Sequence, residues 1–344
     1  SAIQSTPLIA AQASSLTIFQ RTPNYSIPAY NEPLSPDYVA DIKARYQEYR
    51  AENWQRGFGA DFDDNDQSAL EVSDEVRREA YEARWAKGGL SFLAAYNDLV
   101  LDMRANDTAR EFFREKIAAR VDDPELAEKL IPETPMGCKR LCVDTDYYET
   151  FNQDHVNLVD LNEHPIECII GNRVVTNERD YEVDVIVLAT GFDAMTGALL
   201  NIDIKGVDGQ RLQDKWATGP KAYLGLATAG FPNLFMVTGP GSPSVLSNML
   251  PSIEQHVEWI SDCIEHLNAN QLRSIAVVPE AEENWVGHVN EVADVTVYPS
   301  CNSWYLGANV EGKSKVFMPY IGVPTYVAKC EEVVAGGYIG FNLA

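Results

Sequence analysis

Positive charge is the first thing this sequence has little of. Its Lys and Arg number 27 against 51 Asp and Glu, a formal net charge of -24 over 344 residues. That balance opposes broad attraction to phosphate backbones and anionic lipid surfaces, so neither nucleic acid nor membrane is an expected partner. A small anionic ligand can be held only where individual cations are placed for it, which gives isolated Arg and Lys positions their interest. Long apolar runs are also missing. No stretch approaches the ~20 residues that span a bilayer, and none reads as a signal peptide. The six cysteines, Cys138, Cys142, Cys168, Cys263, Cys301 and Cys330, form no CxxC pair and have no His at metal spacing. They fit reduced thiols of a cytoplasmic protein without a metal site. A GxSxG elbow is absent too, which removes support for a serine hydrolase.

The residues that are present read as α/β. With 45% hydrophobic residues the chain can build two or so cores, at ~100–200 residues per domain. Residues 1–13 fit a helix and SLTIFQ, 15–20, a short strand. From about 35 to 131 the texture is charged, amphipathic helix. Ser35-Pro36 precedes DYVADIKARYQEYRAENW, and Ser73 precedes DEVRREAYEARWAK, which stops at Gly88-Gly89. A further helix is expected over 107–121, and Pro124 opens another. The acidic DFDDNDQS at 61–68 has Asp66 and Val72 where a calcium loop needs Gly and Glu, so it reads as a solvated loop. After Gly137 strands return as VNLVDL, IECIIGNRVV and YEVDVIVLATG, the last expected as a strand buried on both faces. Helix 251–268 carries Ile253, Val257, Ile260 and Ile264 on one face.

Four constellations carry chemistry, and each has a plainer alternative. Ser1 to Arg21 matches the portion of a dinucleotide-binding βαβ unit downstream of its second glycine, with Ala2 as the third small residue and Arg21 at the ribose-reading place. An acidic residue there suits NAD, whereas a guanidinium suits the 2′-phosphate of NADP. The alternative is a strand-end arginine in solvent. In GCKRLCVDTDYYETFN, 137–152, Lys139 and Arg140 stand together where helices give way to sheet, as an anion site or as a surface pair. Ala189-Thr190-Gly191 ends a strand at the edge where open α/β sheets bind ligands, or makes an ordinary turn. MVTGPGSPSVLSNMLPSIEQHVEW, 236–259, runs strand, Gly/Pro loop and helix start. Its free N–H groups suit the electron-rich side of a reduced flavin, or simply begin a capped helix.

Taken together, FQRTPNYSIPAYN, GCKRLCVDTDYYETFN, VIVLATGFDAMTGAL, GPGSPSVLSNMLPSIEQHVEW and SWYLGANVEGK resemble the type I Baeyer–Villiger monooxygenases, in collinear order over essentially the whole chain. The resemblance implies FAD and NADPH as cofactors, with a ketone and O2 as small-molecule partners. Oxygen would be inserted beside the carbonyl through a C4a-peroxyflavin to give an ester or lactone. It implies that Arg21 and Thr22 hold the 2′-phosphate with Lys139, that Ser1 and Gln4 lie along the pyrophosphate, and that Trp304 closes over NADP from a mobile loop near 300–312. Arg140 would be the active-site arginine and a further NADP contact, Met249 a flavin contact, and Ser244, Val245 and Leu246 part of the ketone pocket.

The implied fold is that of the two-dinucleotide-binding-domain flavoproteins, with Rossmann-like NADP and FAD domains and a helical insertion. Residues 1–27 and 139–188 would form the NADP-binding domain, 28–138 the insertion, and 189–344 part of the FAD-binding domain. The family's FAD-binding GxGxxG, its FxGxxxHxxxW fingerprint and the acidic partner of its active-site arginine do not occur in these residues, so an N-terminally incomplete chain, favoured as a monomer, is expected. Two other functions compete: a heteroatom-oxidising flavin monooxygenase, and a non-catalytic NADP-binding fragment.

Overall fold

A computed structural model describes residues 2–308 and 316–344. The chain forms two compact units, 1–32 with 63–191 and 33–62 with 192–344. In the first unit, helix α1 (Ala2–Ala10) leads into strand β1 (Leu16–Gln20) and then β2 (Ser26–Pro28). Helices α2 (Pro36–Ala44) and α3 (Tyr46–Trp54) belong to the second unit. The first resumes with α4 (Asp74–Lys87), α5 (Met103–Ala118) and α6 (Pro124–Leu130), followed by β3 (Cys142–Asp144) and β4 (Val156–Asp160). β1 pairs with β4 and β2 with β3, both in parallel. Parallel pairing needs a long crossover, and the helices are that crossover.

The caps read from sequence hold. Ser35 Oγ accepts the Tyr38 N–H at 3.2 Å, Ser73 Oγ accepts that of Val76 at 3.4 Å, and Asp123 and Pro124 start α6. α4 stops where Gly88 and Gly89 turn left-handed at φ +69° and +71°. Two lengths differ. The run after Ser35 breaks at Arg45, φ -118°, into α2 and α3, and α5 starts earlier because Asp102 caps it. α4 and α5 close on an aromatic core in which Phe92 and Phe113 pack edge-on at 4.8 Å.

An antiparallel meander follows, β5 (Ile166–Ile170), β6 (Arg173–Thr176) and β7 (Asp180–Glu182). The buried strand expected over 181–191 does not form beyond β7. Residues 183–190 are irregular, and Val185 and Leu188 are 76% and 75% exposed. The cause is pairing. A central strand needs a ladder on each edge, and among the described residues none pairs with this segment.

The second unit continues through two short helices, α7 (Gly197–Leu200) and α8 (Leu212–Lys215), to α9 (Met249–Ala269), β8 (Ile275–Val277), α10 (Pro279–Asp294), α11 (Val323–Ala335) and β9 (Phe341–Leu343), which pairs with β8. Its core gathers Trp259, Trp285, Tyr305, Phe317 and Tyr326. The strand expected before the Gly/Pro loop is irregular backbone, tied to its neighbour by the Met236 N–H donating to the Leu226 carbonyl at 2.8 Å. α9 also turns a different face inward from the apolar stripe. Ser252, Gln255, His256, Trp259, Cys263 and Leu267 are buried, while Val257 and Ile264 are exposed. Cys142, Cys168, Cys263 and Cys330 are free thiols, in keeping with the reduced-thiol expectation for these four. Among the described residues no helix is long and apolar enough to cross a membrane.

Candidate functional site

In the first unit the predicted residues converge at the ends of the parallel pairs. β1 ends at Gln20, and Arg21 and Thr22 follow in an exposed bend. Beyond β4, Asn162 donates its side-chain N–H to the Arg21 carbonyl at 2.7 Å, which fixes the bend without using the guanidinium. The chain then passes Asn24, whose Nδ2 donates to the Arg140 carbonyl at 3.0 Å. The Cys142 N–H donates to the Tyr25 carbonyl at 3.0 Å, so the Lys139-Arg140 pair is anchored by backbone at the entry to β3. Gln4, on α1, reaches the Val143 carbonyl at 3.5 Å. Ser1 lies outside the described residues.

Charge makes this cluster unusual. The Lys139 ammonium is half-buried, and its pKa is lowered first by desolvation and second by repulsion from Arg21. Among the described residues neither Lys139 nor Arg21 has a carboxylate in ion-pair contact. In a chain of net charge -24, two cations set to repel one another are chemically suited to an anion.

Residues that sequence reasoning missed support the cluster from behind. Arg120, near the end of α5, reaches Asp144 at 3.1 Å and Glu149 at 2.5 Å. Asp144, fully buried at the end of β3, also accepts the Ser26 hydroxyl at 2.6 Å from β2 and the Tyr147 N–H at 3.2 Å. Asn24, Asn162 and Arg120 carry no sequence signal, since each acts on a partner distant along the chain.

In the second unit, Ser244 sits fully buried in a left-handed conformation, φ +42°, with its hydroxyl 3.4 Å from Met195 Sδ. It opens the short turn that holds Val245 and Leu246, and both pack on the same core as Trp304. Asn248 caps α9 by accepting the Leu250 N–H at 3.3 Å, so Met249 is the first residue of a 21-residue helix, at its positive dipole end. The loop after α3 holds this end, as the Asn248 N–H donates to the Phe58 carbonyl at 2.7 Å. Trp304 lies in a one-turn helix with its ring 4.3 Å from that of Tyr305. The later part of the loop expected to be mobile, from 309 to 312, falls outside the described residues.

A helix and strand joined by a helical crossover to a parallel partner, with cations at the strand end, define an α/β protein of the dinucleotide-binding class. The chain matches no protein-family model. It is 38% identical over 349 residues to cyclopentanone 1,2-monooxygenase of Comamonas sp. (strain NCIMB 9872), covering 100% of this chain and 64% of that protein. It is 38% identical to phenazine N-monooxygenase PhzNO1 of Lysobacter antibioticus, covering 96% of this chain and 61% of that one. Among solved structures, the OTEMO complex with FAD and NADP superposes with a TM-score of 0.95 at 34% identity, over 100% of this chain and 64% of that one. The chain belongs to the Baeyer–Villiger monooxygenases, with the α/β two-dinucleotide-binding flavoprotein fold, and it spans less than two thirds of the length of these relatives.

Proposed function

We propose that this chain forms the NADPH-binding and ketone-pocket part of an enzyme that carries out Baeyer–Villiger oxidation, with FAD, NADPH and O2, on a ketone that becomes an ester or lactone. The observation that carries this reading is the Arg21–Lys139 pair, which among the described residues has no carboxylate in ion-pair contact, with Arg140 next in the chain. The cluster fits NADP. Arg21 and Thr22 in the bend and Lys139 opposite would hold the 2′-phosphate, and Gln4 would lie along the pyrophosphate with Ser1. Trp304 would cover the cofactor. The start of α9 at Met249 suits the electron-rich edge of a reduced flavin. Bound flavin supplies electron transfer from NADPH and activation of O2. Arg140 then holds a permanent positive charge where negative charge builds on the ketone oxygen, and it donates no proton there. Ser244, Val245 and Leu246 shape the pocket that orients the ketone.

A second reading is heteroatom oxidation, favoured by the N-monooxygenase among the relatives. Product analysis of the FAD-supplemented chain with NADPH on a panel of ketones, sulfides and aromatic amines separates the two. Esters from ketones are expected. S- or N-oxides without any ester overturn the Baeyer–Villiger reading. In the same assay Arg140→Ala is expected to abolish ester formation while NADPH still reduces the flavin, and normal ester yield from that variant refutes the role of Arg140.

A further inference from the structure

His256 is fully buried on α9, and no step of the proposed reaction uses it. Its ring joins two stretches of backbone. The Thr238 N–H donates to Nδ1 at 2.7 Å, Nε2 lies 2.8 Å from Tyr326 Oη, and that hydroxyl donates to the Leu224 carbonyl at 2.7 Å. The direction of this relay is fixed at both ends, because a backbone N–H only donates and a carbonyl only accepts. Nδ1 is therefore bare, and Nε2 carries the proton and donates to Tyr326. Both ends fall on non-glycine residues in the left-handed region, Thr238 at φ +57° and Leu224 at φ +56°. A β-branched residue persists there only where its surroundings over-determine it. Beside them the Gly239 N–H donates to the Gly225 carbonyl at 3.1 Å, and a Cβ on Gly225 would stand 2.7 Å from Ser242. The crossing has no slack, and the chain leaving it runs straight into Ser244, Val245, Leu246 and Met249.

We propose that His256 is a positioning residue: by accepting the Thr238 N–H it holds the 238–249 segment in the arrangement that shapes the ketone pocket beside the flavin. What the segment does rests on the Baeyer–Villiger reading; how it is held does not. From α11 the ring meets Tyr326, with Cys330 behind it, and on α10 His288 stands one residue further off, across Tyr320. Burial alone lowers the His256 pKa, to about 4, while it raises Cys330 to about 12 and Tyr326 well above its ordinary value. On acidification His256 is thus the member of the relay that changes charge, and its imidazolium would set a second N–H against that of Thr238.

The test uses the whole chain without ligand. Imidazole ¹⁵N spectra at pH 7 are expected to show the Nε2–H tautomer. Amide exchange of Thr238, corrected for intrinsic rate, is expected to lose about 5- to 10-fold protection in His256→Ala, as for one neutral hydrogen bond. His256→Asn, whose carbonyl oxygen falls near the Nδ1 position, is expected to restore that protection; His256→Gln, which reaches only the Nε2 position, is not. Wild-type protection should fall as pH drops toward 4, and that of His256→Asn should not. An Nδ1–H tautomer, or Thr238 protection unchanged in both the Ala and Gln variants, overturns the proposal. Should His256→Ala fail to fold, the tautomer and the wild-type titration decide. In the flavin-loaded chain the Ala or Gln variant is expected to raise the ketone KM while flavin reduction by NADPH keeps its rate; an unchanged ketone KM overturns the positioning role. Because the exchange measurement needs no flavin or ketone, failure to make ester with the relay intact counts against the oxygenase reading alone.

Discussion

Arg21 stands where it makes the half-buried charge of Lys139 more costly, in a protein that is acidic overall. An anion bound to both reverses that cost, since an opposite charge favours the ionised form. Arg21→Ala is expected to raise the KM for NADPH about 10- to 100-fold, the worth of one charge-assisted bond, and to change the KM for NADH little. The pH dependence has a sign as well. Lys139 is depressed, so it loses its proton below the ordinary lysine range, and NADPH affinity should fall there as pH rises. Removing Arg21 leaves burial as the remaining cause and moves this alkaline fall to higher pH. Initial rates with both nicotinamides across pH check the two effects together. An unchanged NADPH/NADH preference, or an alkaline limb that stays put, counts against a phosphate site.

At the scale of elements, β3 is three residues long and among the described residues pairs with β2 alone, too little ladder to place Lys139 and Arg140 by itself. Asp144 supplies the rest by joining β2, β3 and the end of α5. Breaking a buried ion pair from one side leaves an uncompensated charge, so Asp144→Ala should cost about 3–5 kcal/mol. Glu149→Gln, on the half-exposed arm of the same network, should cost at most about 1 kcal/mol. Urea unfolding midpoints measure both, and equal losses would mean that Asp144 does not organise the junction. Much of this was legible where forces are local. Ser35, Ser73, Gly88 and Pro124 mark helix ends by chemistry within one turn, and β1 followed by Arg21 gave the cation site its first member. The break at Arg45 has no Gly or Pro to announce it. The clamps from Asn24 and Asn162 act across more than a hundred residues, and His256 sits on the polar-looking face of α9 that is in fact buried, so neither could be read from spacing.

For the whole molecule, the informative feature is apolar surface left open in each unit. In the first, Val185, Val187 and Leu188 are 76%, 61% and 75% exposed; in the second, Phe192 is 89% exposed, with Leu250, Val257 and Ile264 exposed along α9. Apolar surface of this kind marks either an interface or an aggregation site, and 184–190 adds backbone that joins no ladder among the described residues, the usual template for strand addition. More than a third of the length of these relatives lies outside the part that this chain matches. The isolated chain is therefore expected to bind ANS and to self-associate as its concentration rises, measured by fluorescence and sedimentation. Val187→Lys with Leu188→Lys should reduce both while leaving the unfolding free energy within about 0.5 kcal/mol, because exposed side chains bury little on folding. Dispersed wild-type protein that leaves ANS dark would show this surface covered in solution. Lysine variants that associate as before would move the sticky surface to Leu250, Val257 and Ile264, where Val257→Lys tests it next.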